Sequence, residues 1–135
     1  MATYPLSEAY ADGQVLTAAN VNSITEGVND LAIATFSTTK TASYTLALVD
    51  LAQIVTMNVA SANDLTVPLN SSVAFPIGTQ ILVYQSGAGQ TTIVATGGVT
   101  IRSQGSKLKL TGQYALAGLL KIGTDEWVAV GNLTT

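Results

Sequence analysis

"LTVPLNSSVAFPIGTQILVYQSGAGQTTIVATGGVTI", residues 65–101, runs for 37 residues without one charged side chain. A membrane-crossing helix needs about 20 consecutive apolar residues. Here Pro68, Pro76, Gly78, Gly87, Gly89, Gly97 and Gly98 cut the run into much shorter pieces. Those pieces are rich in Val, Ile, Thr and Tyr and are bounded by turn residues, which reads as a series of strands. In "FPIG", Pro76 at the second position and Gly78 at the fourth suit a type I turn that launches "TQILVYQ". "SGAGQ" then reads as a hairpin onto "TTIVAT", and the "GG" at 97 and 98 starts "VTIRS".

The same grammar extends outward on both sides. Strands are expected near 43–48, 53–58, 64–68, 79–85, 90–95, 98–102, 107–111, 113–122 and 126–131, with "GTDE" at 123–126 folding "LLKI" back onto "WVAV". Alternation assigns faces: Val99 and Ile101 share one side of their strand, and Leu108 and Leu110 point away from Lys107 and Lys109. "ILV" at 81–83 and "YALAGLL" at 114–120 are apolar on both faces, as in strands covered on both sides. In a domain this small, only a sandwich centre or a subunit interface offers that. The expected fold is mainly β: a compact antiparallel β-sandwich or small barrel over residues 37–135, preceded by a short arm and a helix.

Residues 1–15 are polar and irregular and read as a docking arm, with Tyr4, Pro5 and Tyr10 as anchors on a partner. Residues 16–36 read as a short helix and linker. Thr17 can cap the helix, and Val21, Ile24, Val28 and Leu31 follow spacings of 3, 4 and 3, the narrow seam of a coiled coil. A single seam so short is marginal alone in water and calls for neighbouring copies or the body to hold it. "AIATFSTTKT" at 33–42 reads as a connector.

Composition points the same way. The 135 residues are 47% hydrophobic and only 10% charged, and the mean hydropathy is +0.40. A small domain has much surface for its volume, so so little charge implies that part of the surface is covered by copies of the chain itself. The formal charge of −3 supplies no basic field for nucleic acid. Without Cys or His there are no thiol nucleophiles, imidazole bases or metal sites built on those residues. The opening "MATYPLSEAYADG" has neither a basic nor an apolar leader region, so the chain is expected to be made and kept in the cytosol until lysis, with no membrane partner.

Several motifs invite chemistry and are better read as structure. "GAGQTT" at 87–92 is followed by a β run and not by the helix and lysine a phosphate cradle needs. Asp125 and Glu126 form an adjacent acidic pair inside a predicted turn, where they stabilise the loop. Arg102, Lys107 and Lys109 gather around the "SQGS" turn and read as a solvated basic face. Trp127 suggests a sugar-stacking platform, but its strand position fits a core or interface anchor better. No pair of carboxylates has defensible glycosidase spacing, so catalysis and cofactors are not expected.

The β region from Ser43 to Leu133 resembles a small domain of tailed-phage structural proteins, found in tail fibres and in head or capsid-surface proteins. The resemblance rests on "YTLALVDLAQIVTMN" at 44–58, "LTVPLNSSVAFPIGTQILVYQSGAGQTTI" at 65–93, "GVTI" at 98–101 and "LKIGTDEWVAVGNL" at 120–133. "DGQVLTAANVN" near the start is similar to the openings of phage tail and fibre proteins. The resemblance implies a virion structural protein, assembled in the host cytoplasm as a parallel homotrimer, with no catalytic, cofactor or metal residues. Its expected partners are itself and the major capsid protein or another virion protein. The short chain favours a capsid decoration or head-fibre protein over a tail fibre or minor tail protein that binds a host surface glycan. The expected assembly residues are Val21, Ile24, Val28 and Leu31 in the seam, with Ile81, Val83, Tyr84 and Trp127 in the β core or interface.

Overall fold

The computed structural model describes residues 35–135. The arm, the helix and their residues Tyr4, Pro5, Tyr10, Val21, Ile24, Val28 and Leu31 lie outside the described residues. Eleven strands follow: β1 Thr35–Phe36, β2 Tyr44–Thr45, β3 Gln53–Met57, β4 Asn63–Val67, β5 Gln80–Gln85, β6 Thr91–Ala95, β7 Thr100–Ser103, β8 Lys109–Leu110, β9 Leu116–Gly123, β10 Glu126–Gly131 and β11 Leu133–Thr134. They form a six-stranded sheet, order β1-β3-β5-β9-β10-β7, and a five-stranded sheet, order β11-β8-β6-β4-β2. We call these sheets A and B. Their inward residues form one core that includes Val55, Met57, Leu65, Val67, Ile81, Val83, Ile93, Leu110, Leu119 and Trp127. Among the described residues no helix is long and apolar enough to cross a membrane.

The expected antiparallel pairing is corrected by this topology. From β1 to β6 each strand is followed by one in the opposite sheet, so strands two apart lie side by side and parallel: β1 with β3, β3 with β5, β2 with β4 and β4 with β6. Parallel neighbours need a long crossover, and here the crossover is itself a strand of the facing sheet. Antiparallel pairing enters later, through the β9–β10 hairpin, which sits between β5 and the parallel edge strand β7. In sheet B it enters through β8, antiparallel to both β6 and β11, so each sheet is mixed.

"SGAGQ" is accordingly not a hairpin but a corner carrying β5 into β6. It stacks on the preceding corner, residues 58–62, which carries β3 into β4. Ser86 and Gly87 donate to the Met57 carbonyl at 3.0 and 3.1 Å, and Gly89 donates to the Val59 carbonyl at 2.9 Å. The approach is so close that a Cβ on Gly87 or Gly89 would overlap the backbone of Val59 or Ser61, which is why glycine stands at both positions. Buried polar side chains complete the stack. Gln85 Nε2 donates to the Gly87 carbonyl at 3.1 Å, its Oε1 accepts from the Thr91 N–H at 3.1 Å, and the Thr91 hydroxyl donates to Asn63 Oδ1 at 2.8 Å.

Two local expectations also change. The 33–42 connector contains β1 and runs on beside β3, with a parallel bridge between Lys40 and Met57. The "FPIG" turn is framed one residue later than expected. Thr79 donates to the Pro76 carbonyl at 3.1 Å and Gly78, now third, has φ +95°, a type II feature.

Candidate assembly surface

Strand alternation decides what each sheet shows to the outside. On sheet B the outward residues are Thr45, Asp64, Thr66, Thr92, Val94 and Lys109, with Asp64 beside Thr92 and Thr92 beside Lys109. That is an ordinary water-facing β surface. Sheet A is different. Its register aligns Phe36, Ile54, Leu82, Gly118 and Val130 in one outward row. Thr56, Tyr84 and Leu116 make the next row, and Gln80, Leu120, Val128 and Arg102 a third. The charge on these strands' outward face is confined to the β7–β10 rim, where Arg102 pairs with Glu126.

The described residues leave this face uncovered: Phe36 is 68% exposed, Val130 58%, Ile122 43% and Leu116 42%. Large contiguous apolar patches of this kind mark interaction surfaces. A second exposed apolar group, Leu48, Val49 and Leu51, sits on the turn that enters β3.

The expected assembly residues separate in the structure. Ile81 and Val83 face inward and Trp127 is buried in the core, so none of the three offers surface to a second chain. Tyr84 stands half-buried on the outward face between Thr56 and Leu116. Burial also removes Trp127 as a sugar platform: its ring meets Phe75 edge-on at 5.7 Å. Sequence reasoning missed Leu116, Leu120 and Ile122 as individual surface residues. For Leu116 and Leu120 the signal was present in "YALAGLL", whose second apolar face has no cover among the described residues.

Trp127 belongs instead to a network that joins two of the quoted segments, "LNSSVAFPIGT" and "LKIGTDEW". Lys121, 2% exposed, donates through Nζ to Asn70 Oδ1 and to the Phe75 carbonyl, both at 2.7 Å. Its ammonium lies 5.9 Å from the Trp127 ring centroid. The Asn70 N–H donates to Asp125 Oδ1 at 2.7 Å, so the acidic pair divides its work: Asp125 holds the 70s loop and Glu126 holds Arg102.

The buried carboxylate of Asp50 organises the turn that carries β2 into β3. Its Oδ2 accepts from the Tyr44 hydroxyl and from the Ala47 N–H, both at 2.8 Å. Burial, with the Asp50 carboxylate beside it, pushes the Tyr44 hydroxyl from 10.0 up to about 12. Lys40 Nζ covers the same ring at 4.1 Å from its centroid.

Fold and surface together define a two-sheet, mixed β domain with one polar and one apolar outer face. Comparison with known proteins finds no matching family model, no matching curated protein and no matching solved structure.

Proposed function

We propose that the chain is a structural protein of a tailed-phage virion: a homotrimeric capsid decoration or head-fibre protein that docks through its N-terminal segment and projects the β domain outward. The observation that carries the reading is the outward face of sheet A, a continuous apolar surface on a chain of very low charge. Copies of the same chain are its occupant: around a three-fold axis the apolar face of each chain packs heterologously on its neighbour, and the ring closes with no apolar face left over. The likeness of "SSVAFPIGT" and "DEWVAVG" to phage structural domains supplies the setting. The function is mechanical and adhesive, and no bond-making step belongs to it.

Light scattering on a sizing column tests the assembly, and immunolabelling of purified particles tests the location. A mass near three chains with label on particles supports the proposal, and removal of residues 1–15 should keep that mass and abolish attachment. A monodisperse monomer overturns the trimer. Truncated protein that still decorates particles overturns the docking role of the N-terminus.

A further inference from the structure

A pocket of about 440 Å³ opens where the edge strand β7 ends against β10. Its lining includes Arg102, Ser103, Gln104 and Lys107 from β7 and the turn after it, and Val130, Gly131 and Leu133 from β10 and β11. The volume falls in the range of small-ligand sites, roughly 300–1,000 Å³. Three features give it chemistry. No acidic side chain lines it, while Lys107 has no carboxylate partner among the described residues and Arg102 has one, Glu126. The buried hydroxyl of Ser103 has no hydrogen-bond partner, although buried polar groups are nearly always paired. Finally, the β7–β10 ladder stops at the Ser103–Ala129 pair, so the β10 backbone at Val130 and Gly131 has no strand beside it on that side.

The turn between β7 and β8 builds the cationic wall. Gly105 at φ +68° and Ser106 at φ +54° are both left-handed, and they reverse the chain so that Lys107 returns to the same pocket as Arg102. Side chains rarely adopt this conformation.

From this arrangement we infer that the pocket binds a sugar acid: a pyranose-sized molecule with one carboxylate and several hydroxyls. The carboxylate takes the Lys107 ammonium and the free side of the Arg102 guanidinium. The hydroxyls take Gln104, a rotated Ser103 hydroxyl and the open backbone of β10. Val130 and Leu133 cover the C–H face of the ring. A purely apolar ligand would leave these donors unpaired, and a bare inorganic anion would leave the apolar wall uncovered.

The test is an amide chemical-shift titration of the full chain with D-glucuronate, with D-glucose and inorganic phosphate as parallel probes. Arg102, Val128 and Val130 also belong to the outward face of sheet A, so the mass of the ligand-free sample is measured first and the titration is run on both the wild-type chain and the Leu120→Lys variant, whose outward face carries a charge. The inference expects saturable shifts at residues 102–107 and 130–133 with glucuronate. Lys107→Gln should weaken binding about tenfold, the scale of one charge-assisted hydrogen bond. Lys109→Gln, on the outer face of sheet B, should leave it unchanged. Equal response to glucose overturns the acid, equal response to phosphate overturns the sugar, and no saturable shift with any probe overturns the site.

Discussion

Replacing Gly89 by alanine tests the stacked-corner topology directly. A Cβ at this position would stand 2.7 Å from the Ser61 nitrogen and nearer still to the Ser61 carbonyl. Carbon contacts settle at roughly 3.5–4.0 Å, so the corners at 58–62 and 86–90 would have to part by about 1 Å or more. That movement breaks the Gly89 N–H bond to the Val59 carbonyl and strains those from Ser86 and Gly87 to Met57. Overpacking contributes about 1–3 kcal/mol and the lost bond about 1 kcal/mol, giving a loss of about 2–4 kcal/mol. Against a total stability of about 5–15 kcal/mol this is severe. Urea unfolding followed by Trp127 fluorescence measures it, with Gly97→Ala as control. Gly97 is exposed and a Cβ there meets nothing within 4 Å, so that change should be neutral or stabilise by up to about 1 kcal/mol. Equal midpoints for the two variants would refute the stacking of the corners, and with it the parallel winding of β3, β4, β5 and β6.

Leu120→Lys places a charge in the middle of the outward face of sheet A without touching the core; light scattering should show the assembly falling to monomers while the β circular-dichroism signal persists. Lys121→Met keeps the length of a buried side chain but strips the donor from Asn70 Oδ1 and the Phe75 carbonyl; a loss of about 1–3 kcal/mol is expected, with faster amide exchange across residues 69–79. Tyr44 is protonated more firmly in the folded chain than in the unfolded one, so its contribution to stability is complete below pH 10 and fades as pH rises from 10.0 through about 12. Phenolate absorbance should show Tyr44 ionising at that upper value, and Asp50→Asn should bring it down.

Strand positions were legible because each strand carries its own evidence. "QILVYQ" and "EWVAVG" alternate, and turn residues bound them, so local chemistry marks where β5 and β10 lie. Partners were not legible, because pairing depends on where a corner sends the chain next. "SGAGQ" has the residues of a hairpin, and only the presence of the 58–62 corner beneath it makes it a crossover. The inversion at Leu120 and Lys121 has a similar origin. Alternation places them on opposite faces, and elementary hydropathy would send the lysine out. The acceptors that make its burial tolerable, Asn70 and the Phe75 carbonyl, come from a loop some fifty residues earlier, as the separation of 51 positions between Lys121 and Asn70 shows. The candidate assembly residues Ile81, Val83, Tyr84 and Trp127 were expected together in the core or interface, and only the structure separates Tyr84 on the outward face from the other three inside. Which of the apolar rows faces outward depends on the position of the second sheet.

The order β5-β9-β10-β7 has a consequence for synthesis. β7 is made before β9 and β10, yet its neighbour within sheet A is β10. Until residues 116–131 emerge from the ribosome, β5 and β7 are separated by a gap two strands wide, and the exposed edge of β5 is a template for another chain. The coil of β1 to β6 can settle progressively, circuit upon circuit, but sheet A is sealed by the last hairpin made. Chains that stop short of Gly131 should therefore aggregate through the open edge of β5, and completion of the polypeptide, more than any early step, decides when a folded domain exists.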